Sequence, residues 1–262
     1  MIAARLPVSG IDVVLRPLSG HDEIMLADAK TYDMELALDL LARLTDMRTD
    51  KVDWAAIPVP DIQTVLLNLR QRQIGERIQA DVLCGNSACG SRIDISFRVD
   101  EYIGHNRPKR PAGVGPGDEP GWYQICGKPA SFRIPCPVDV IAADRTDMPG
   151  RTLFNRCTRP DNLPQRLRGS IERAMNTIAP SLAQEMTGVC PDCNESVRLF
   201  FDPISFVLRE LSQIARFIYE DIHLLAITYH WSEESILALS PQRRTRYAQM
   251  IDGRGGAPAR ED

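Results

Sequence analysis

Two cysteine pairs constrain how this chain can fold more than any other feature. Cys84-Gly-Asn-Ser-Ala-Cys89 is a C-x4-C, and Cys190-Pro-Asp-Cys193, about 100 residues later, is a C-x2-C. Tetrahedral zinc takes two such knuckles, because each turn presents two thiolates from one side. The flanking segments also repeat. CGNSACGSRIDISFRVDEYI and CPDCNESVRLFFDPISFVL each run from the knuckle through a polar stretch into an alternating strand, with Ile93, Ile95 and Phe97 in one and Val197, Leu199 and Phe201 in the other. An acidic residue and an apolar helix start follow in both. Gly90 and Asn194, just behind the second cysteines, tolerate the positive φ of a knuckle turn. The sequence thus predicts one knuckle-and-strand unit used twice. It also predicts one structural zinc ion on Cys84, Cys89, Cys190 and Cys193, whose four thiolates leave no position for water or substrate. Two unlinked reduced pairs are the alternative.

Seven cysteines is an odd number, and the opening MIAARLPVSGIDVVLRPL lacks the apolar core and cleavage site of a signal peptide. A disulfide framework is therefore not expected. Cys126, Cys136 and Cys157 are read as buried structural thiols. The 262 residues, 44% hydrophobic and 25% charged, suit one or two ordinary globular domains. The longest charge-free runs, 174–184 and 222–232, fall well short of the roughly 20 apolar residues of a membrane span. A net charge of −4 argues weakly against nonspecific binding to polyanions.

Local patterns predict an α+β fold that is mainly α-helical. A strand is expected within 5–17, then helices near 22–31, 33–46 and 60–77, forming a helical N-terminal domain over 1–80. A zinc-ribbon and middle region follows over 81–202. Within it, 105–121 holds four prolines and four glycines and reads as a flexible insert. A strand pair around 122–125 and 131–134 and helices near 138–145, 164–177 and 179–186 complete the region. From Pro203, Ile204, Leu208, Leu211, Ala215, Ile218, Ile222, Leu225 and Tyr229 recur at helical steps, predicting one long helix with an apolar seam. Ser232 and Ser240-Pro241 then start two short helices, and Gly253 ends the last. Residues 203–253 are read as a helical interaction module, and 254–262 have the composition of a disordered tail.

Catalytic signatures are missing: there is no GxGxxG, no GxxxxGK[ST] and no HExxH. His223 and His230 lie two helical turns apart, too far for one metal ion, and are read as core or cap residues. Asp139, Asp144 and Asp147 sit in a turn-rich stretch and are expected to be solvated or capping. The chain is therefore not expected to be an enzyme. A zinc-ribbon nucleic-acid-binding protein is the other reading, carried by Arg243, Arg244 and Arg246 with Tyr247, and by Arg151, Arg156, Arg159, Arg166 and Arg168. The acidic balance and the lack of an aromatic stacking platform make solvated helix faces the simpler account, so binding to nucleic acid is not expected.

The order over 188–253 (knuckle, FDPISFVLREL, then IHLLAITYHWSEESILALSPQRRTRYAQMI) resembles the C-terminal part of a family encoded with phage-like extracellular contractile injection systems and related phage tails. FRIPCPVDVIAA (132–143) is similar to that family's arginine-leucine-proline opening of its middle region, with isoleucine here in place of leucine. LRPLSGHDE (15–23) resembles the start of baseplate hub proteins of T-even-type phages. The C-x4-C departs from the usual C-x2-C knuckle. The resemblance implies a component or assembly factor of the baseplate that carries a structural metal and binds other baseplate or tail proteins. It implies neither a membrane nor a small-molecule substrate, and a location in the cytoplasm during assembly or within the particle. Docking is expected at the C-terminal end, on an exposed apolar patch of Trp231, Ile236, Leu237, Leu239 and Tyr247. Arg243 and Arg244 are expected at its rim, steering an acidic partner.

Overall fold

Alternation around Val13 and Leu15 does produce a strand, but as half of a hairpin. Strand β1 (Ile2–Arg5) pairs antiparallel with β2 (Asp12–Leu15), Ile2 opposite Leu15. Gly10, at φ 72°, makes the intervening turn. The Val8 and Ser9 amides each donate to the Asp61 carboxylate at 2.8 Å. The computed structural model describes residues 2–45, 52–161, 163–251 and Gly253; the tail expected at 254–262 lies outside the described residues.

Three helices follow: α1 (Gly20–Ala27), α2 (Met34–Leu44) and α3 (Val59–Gln73). Asp33 caps α2 by accepting the Leu36 amide at 3.0 Å, and Pro60 suits the first turn of α3. Helix α3 buries residues on every side, including Ile62, Val65, Leu66, Leu67 and Leu69, so it runs through the middle of the core. The first ribbon is β3 (Arg77–Leu83) against β4 (Arg92–Arg98), with the first knuckle at its tip, and α4 (Val99–His105) closes this part.

Next comes an antiparallel sheet ordered β5 (Val114–Pro116), β6 (Trp122–Ile125), β7 (Ser131–Arg133) and β8 (Thr158–Arg159), with α5 (Pro137–Asp144) and α6 (Pro149–Arg156) between β7 and β8. The stretch read as a flexible insert thus supplies an edge strand, and its Lys109 amide donates to the Thr177 carbonyl at 2.8 Å. Helix α7 (Gln165–Ile178) leads to the second ribbon, β9 (Gln184–Val189) against β10 (Ser196–Phe201). The helix expected at 179–186 is therefore corrected. Pro180 breaks it, and the alternating Gln184–Val189 segment pairs with the strand beyond the knuckle.

The long seam helix is corrected as well. It is two helices, α8 (Pro203–Ala215) and α9 (Ile218–Tyr229), followed by α10 (Glu233–Leu237) and α11 (Pro241–Ile251). The Phe217 amide donates to the Ile214 carbonyl at 3.4 Å, a tightened turn. Such a turn leaves the three- and four-residue apolar spacing almost intact, so periodicity alone does not register the break. Asp202 caps α8 by accepting the Ile204 and Ser205 amides.

The principal core joins the β1–β2 hairpin, α1, α2 and α3 to Val99 and Tyr102 of α4, Leu182, Phe201, and Ile204, Val207, Leu208 and Leu211 of α8. The boundary read at residue 203 thus crosses a shared core, and the N-terminal part is not purely helical. A smaller core under the four-stranded sheet collects Ala130, Phe132, Phe154, Ile171 and Ala174.

Helices α1 and α5 begin in the same way. Arg16 and Arg133 stand three residues before the N-caps Ser19 and Cys136, and Asp22 and Asp139 three residues after them. Each aspartate accepts its N-cap amide, at 2.8 Å from Ser19 and 3.1 Å from Cys136. Each also takes both terminal nitrogens of its arginine, at 2.6 and 3.0 Å from Arg16 and at 2.5 and 2.7 Å from Arg133. The likeness extends further. Both stretches run from a hairpin to an arginine-braced helix, a second helix, a helix entered through Pro58 or Pro164, a knuckled ribbon and a closing helix. Each closing helix starts ten positions after its second cysteine, Cys89 to Val99 and Cys193 to Pro203.

Candidate metal centre

Each knuckle is shaped by its own backbone. In the second, the Cys190 amide donates to the Glu195 carbonyl at 2.8 Å and the Asn194 amide to the Cys190 carbonyl at 2.9 Å, with Asn194 at φ 58°. In the first, the Cys84 amide donates to the Ser91 carbonyl at 2.8 Å, and Gly90 takes φ 60°. Its extra residues are absorbed by a tight turn. The Asn86 side chain accepts the Ala88 amide at 3.0 Å, and the Asn86 carbonyl accepts the Cys89 amide at 2.9 Å. The longer spacing therefore still brings Cys89 back beside Cys84.

The two ribbon tips meet, and the four sulfurs lie within 4.8 Å of one another. Cys84 Sγ is 3.6 Å from Cys193 Sγ, and Cys89 Sγ is 3.9 Å from Cys190 Sγ. The first cysteine of each knuckle thus faces the second of the other. A tetrahedron with metal–sulfur bonds near 2.3 Å has edges of about 3.8 Å, so these spacings fit a thiolate-bound ion. The alternative of two separate pairs fails, because the ribbon tips converge as the shared site requires. Cys84 and Cys190 are buried, Cys89 is half-buried and Cys193 exposed, with Val197, Val82 and Ile93 packed around them. Thiols this close resist ionising together. The Asn86 amide favours the Cys84 thiolate, yet burial and the three neighbouring sulfurs outweigh it and push this thiol up to about 12. The Ser91 hydroxyl, 3.1 Å away, helps bring Cys89 down to about 7.

The remaining cysteines divide. Cys157 is buried as expected, Cys136 is half-buried as the N-cap of α5, and Cys126 is exposed, which corrects its reading. His230 is the left-handed C-cap of α9, whereas His223 is exposed. Asp139 is not solvated: it is fully buried and braced by Arg133 and Arg156, the latter at 3.0 Å. Burial opposes its charge, but these hydrogen bonds and the Cys136 amide hold its carboxyl below the usual carboxylate range.

The C-terminal residues divide too. Trp231 is exposed, stacks on Tyr229 at 5.1 Å and meets Tyr247 edge-on at 5.4 Å; Arg243 lies over the Tyr247 ring at 5.7 Å, and Leu239 is half-buried. Ile236 and Leu237 are buried, which corrects their place in a docking patch. Leu237 closes over Gly20, where an added Cβ would come within 2.8 Å of its backbone. Arg244 is buried rather than at a rim. Its Nη2 donates to Glu23, and its Nε donates to Asp221 at 3.2 Å. Sequence reasoning missed this triad because its members lie on three different helices. Burial raises both carboxyls, with Arg244 pulling the other way.

Only the N-terminal part of the chain is similar to a known family. Residues 1–111 match the family model of T4 bacteriophage base plate protein. No curated protein and no solved structure matches the chain. The baseplate match spans the hairpin, the first braced helix, the first knuckle and α4, and ends ahead of β5. The match covers less than half of the chain, its N-terminal part. Among the described residues, no helix is long and apolar enough to cross a membrane.

Proposed function

We propose that this chain is a non-enzymatic component or assembly factor of a contractile phage-tail-like baseplate. The observation that carries the reading is the baseplate match over residues 1–111. Four convergent thiolates support a single structural metal ion, and an all-sulfur tetrahedral set favours zinc over harder divalent cations. Cys84, Cys89, Cys190 and Cys193 would hold it, joining the two ribbons. Docking to other tail proteins is assigned to the exposed Trp231, Arg243 and Tyr229 with the half-buried Leu239 and Tyr247 among them. The nucleic-acid reading is weakened in the middle region, where Arg156 braces Asp139 and Arg159 pairs with Glu119 while lying over Trp122 at 4.1 Å.

Purified particles and assembly intermediates, analysed by mass spectrometry, test the baseplate role; absence of the chain from both would sink it. Removing 232–262 would uncover Leu225 and strip Arg244 from Glu23 and Asp221, so point changes are the cleaner probe of docking. Trp231→Ala with Tyr247→Ala should leave a folded chain that complements particle assembly poorly. Normal assembly by this variant would exclude docking at the aromatic group.

A further inference from the structure

Between α1, α8, α9 and α11 lies a cavity of about 650 Å³. Arg244, only 2% exposed, lines it. Two of its nitrogens are engaged by Glu23 and Asp221, but Nη1 is buried with no hydrogen-bond partner among the described residues. Buried donors in folded proteins are nearly always paired, so one left over marks a place where an acceptor belongs. Arg72 and Arg246, both exposed, line the same cavity, while Ile214 and Phe217 supply partly exposed apolar wall. Three guanidinium groups against two carboxylates leave one positive charge in excess. A water molecule could meet Nη1, but it would not account for cations and apolar side chains grouped at one opening.

We propose that this cavity receives an acidic side chain of a partner protein. Its carboxylate accepts from Nη1 of Arg244, Arg72 and Arg246 draw it in, and a neighbouring apolar residue packs on Ile214 and Phe217. A bidentate or shared arginine–carboxylate contact in a partly dry site is among the stronger polar anchors. This deepens the docking reading of the C-terminal end, on which the choice of a protein occupant rests. Peptide binding by the purified chain is measured apart from particle assembly, so either reading can fail alone.

The test titrates the full, isotope-labelled chain with acetyl-Leu-Asp-Leu amide, its asparagine counterpart and inorganic phosphate, followed by NMR. The aspartyl peptide should shift the amide signals of Ile214, Phe217 and Arg246 and bind at least about tenfold more tightly than the asparaginyl one. Arg72→Gln with Arg246→Gln, at exposed positions, should weaken it by a similar factor while leaving the fold intact. Arg244→Lys, which keeps the charge and removes Nη1, should abolish the preference for aspartate; if that protein unfolds, the Arg72/Arg246 variant still decides. Equal binding of the two peptides, no shift, or equal competition by phosphate would overturn the proposal. So would tighter peptide binding after Glu261→Gln with Asp262→Asn, because the chain's own end would then be the occupant.

Discussion

Asp139 shows how much one side chain can organise. It closes the first turn of α5 through the Cys136 amide, fixes Arg133 at the end of β7 and holds Arg156 at the end of α6. Asp139→Asn would keep the shape but leave two guanidinium groups facing a neutral amide. Removing one partner of a buried pair costs about 3–5 kcal/mol, and the amide oxygen retains part of the bonding, so a loss of about 2–4 kcal/mol is expected at neutral pH. The folded-state carboxyl lies below its unfolded value of 3.8, so its stabilisation is present above that pH and fades as pH falls through the lower, folded value. Thermal melts at descending pH should therefore show the gap between wild type and Asp139→Asn narrowing below about pH 4. A constant gap would refute the ionic role. The sequence offered this aspartate as solvated or capping, and it caps α5; its burial was not legible, because its arginine partners lie six residues before and seventeen after it. Its capping register, three residues past an N-cap, was the readable signal.

At the level of elements, the start of α1 is pressed against α10. Gly20 sits where a methyl group would meet the Leu237 backbone at 2.8 Å. Helix propensity taken alone says that Gly20→Ala should stabilise by about 0.5–1 kcal/mol. Overpacking against backbone costs about 1–3 kcal/mol, so the net effect should be destabilising. Denaturant unfolding of Gly20→Ala decides the sign, and a gain in stability would show that α10 is not seated on α1. The sequence displayed most helices through their caps and periodicity, and it displayed both knuckles. It could not display β3 or β9, the strands ahead of the knuckles, because the segments leading into them continued a helical pattern. Nor could it reveal that Ile236 and Leu237 are covered, since part of the covering surface, around Gly20, lies more than two hundred positions earlier and the rest depends on how α9 folds back.

For the whole molecule, a metal ion held by the four sulfurs would tie residue 84 to residue 190 and close the middle region into a loop. A covalent link around a loop of about 100 residues restrains the unfolded chain by about 4–5 kcal/mol. A metal link acts instead as a ligand of the folded state, with the same direction of effect. Dialysis against a strong chelator should lower the melting temperature by several degrees and speed amide exchange first in β3–β4 and β9–β10. Cys190→Ser with Cys193→Ser should bind no zinc by elemental analysis. An unchanged melting temperature after metal removal would exclude the stapling role. The convergence of the two knuckles was legible because the knuckle-and-strand unit occurs twice. The shared core of α3 and α8 was not, since nothing in local periodicity says which helices face each other.

The two arginine-braced, knuckled halves bear on ancestry. Each contributes two thiolates, and the pairing runs crosswise, as it would about a twofold axis. A chain made of a single half, about the span that the baseplate match covers, would carry half a coordination shell and would complete it only by associating with a second copy. Duplication and fusion of such a gene would place the two cysteine pairs, which a homodimer would otherwise bring together, in one chain. Its second half would then be free to diverge, keeping its cysteines while acquiring the extra strands β5 and β8 and the helices beyond α8.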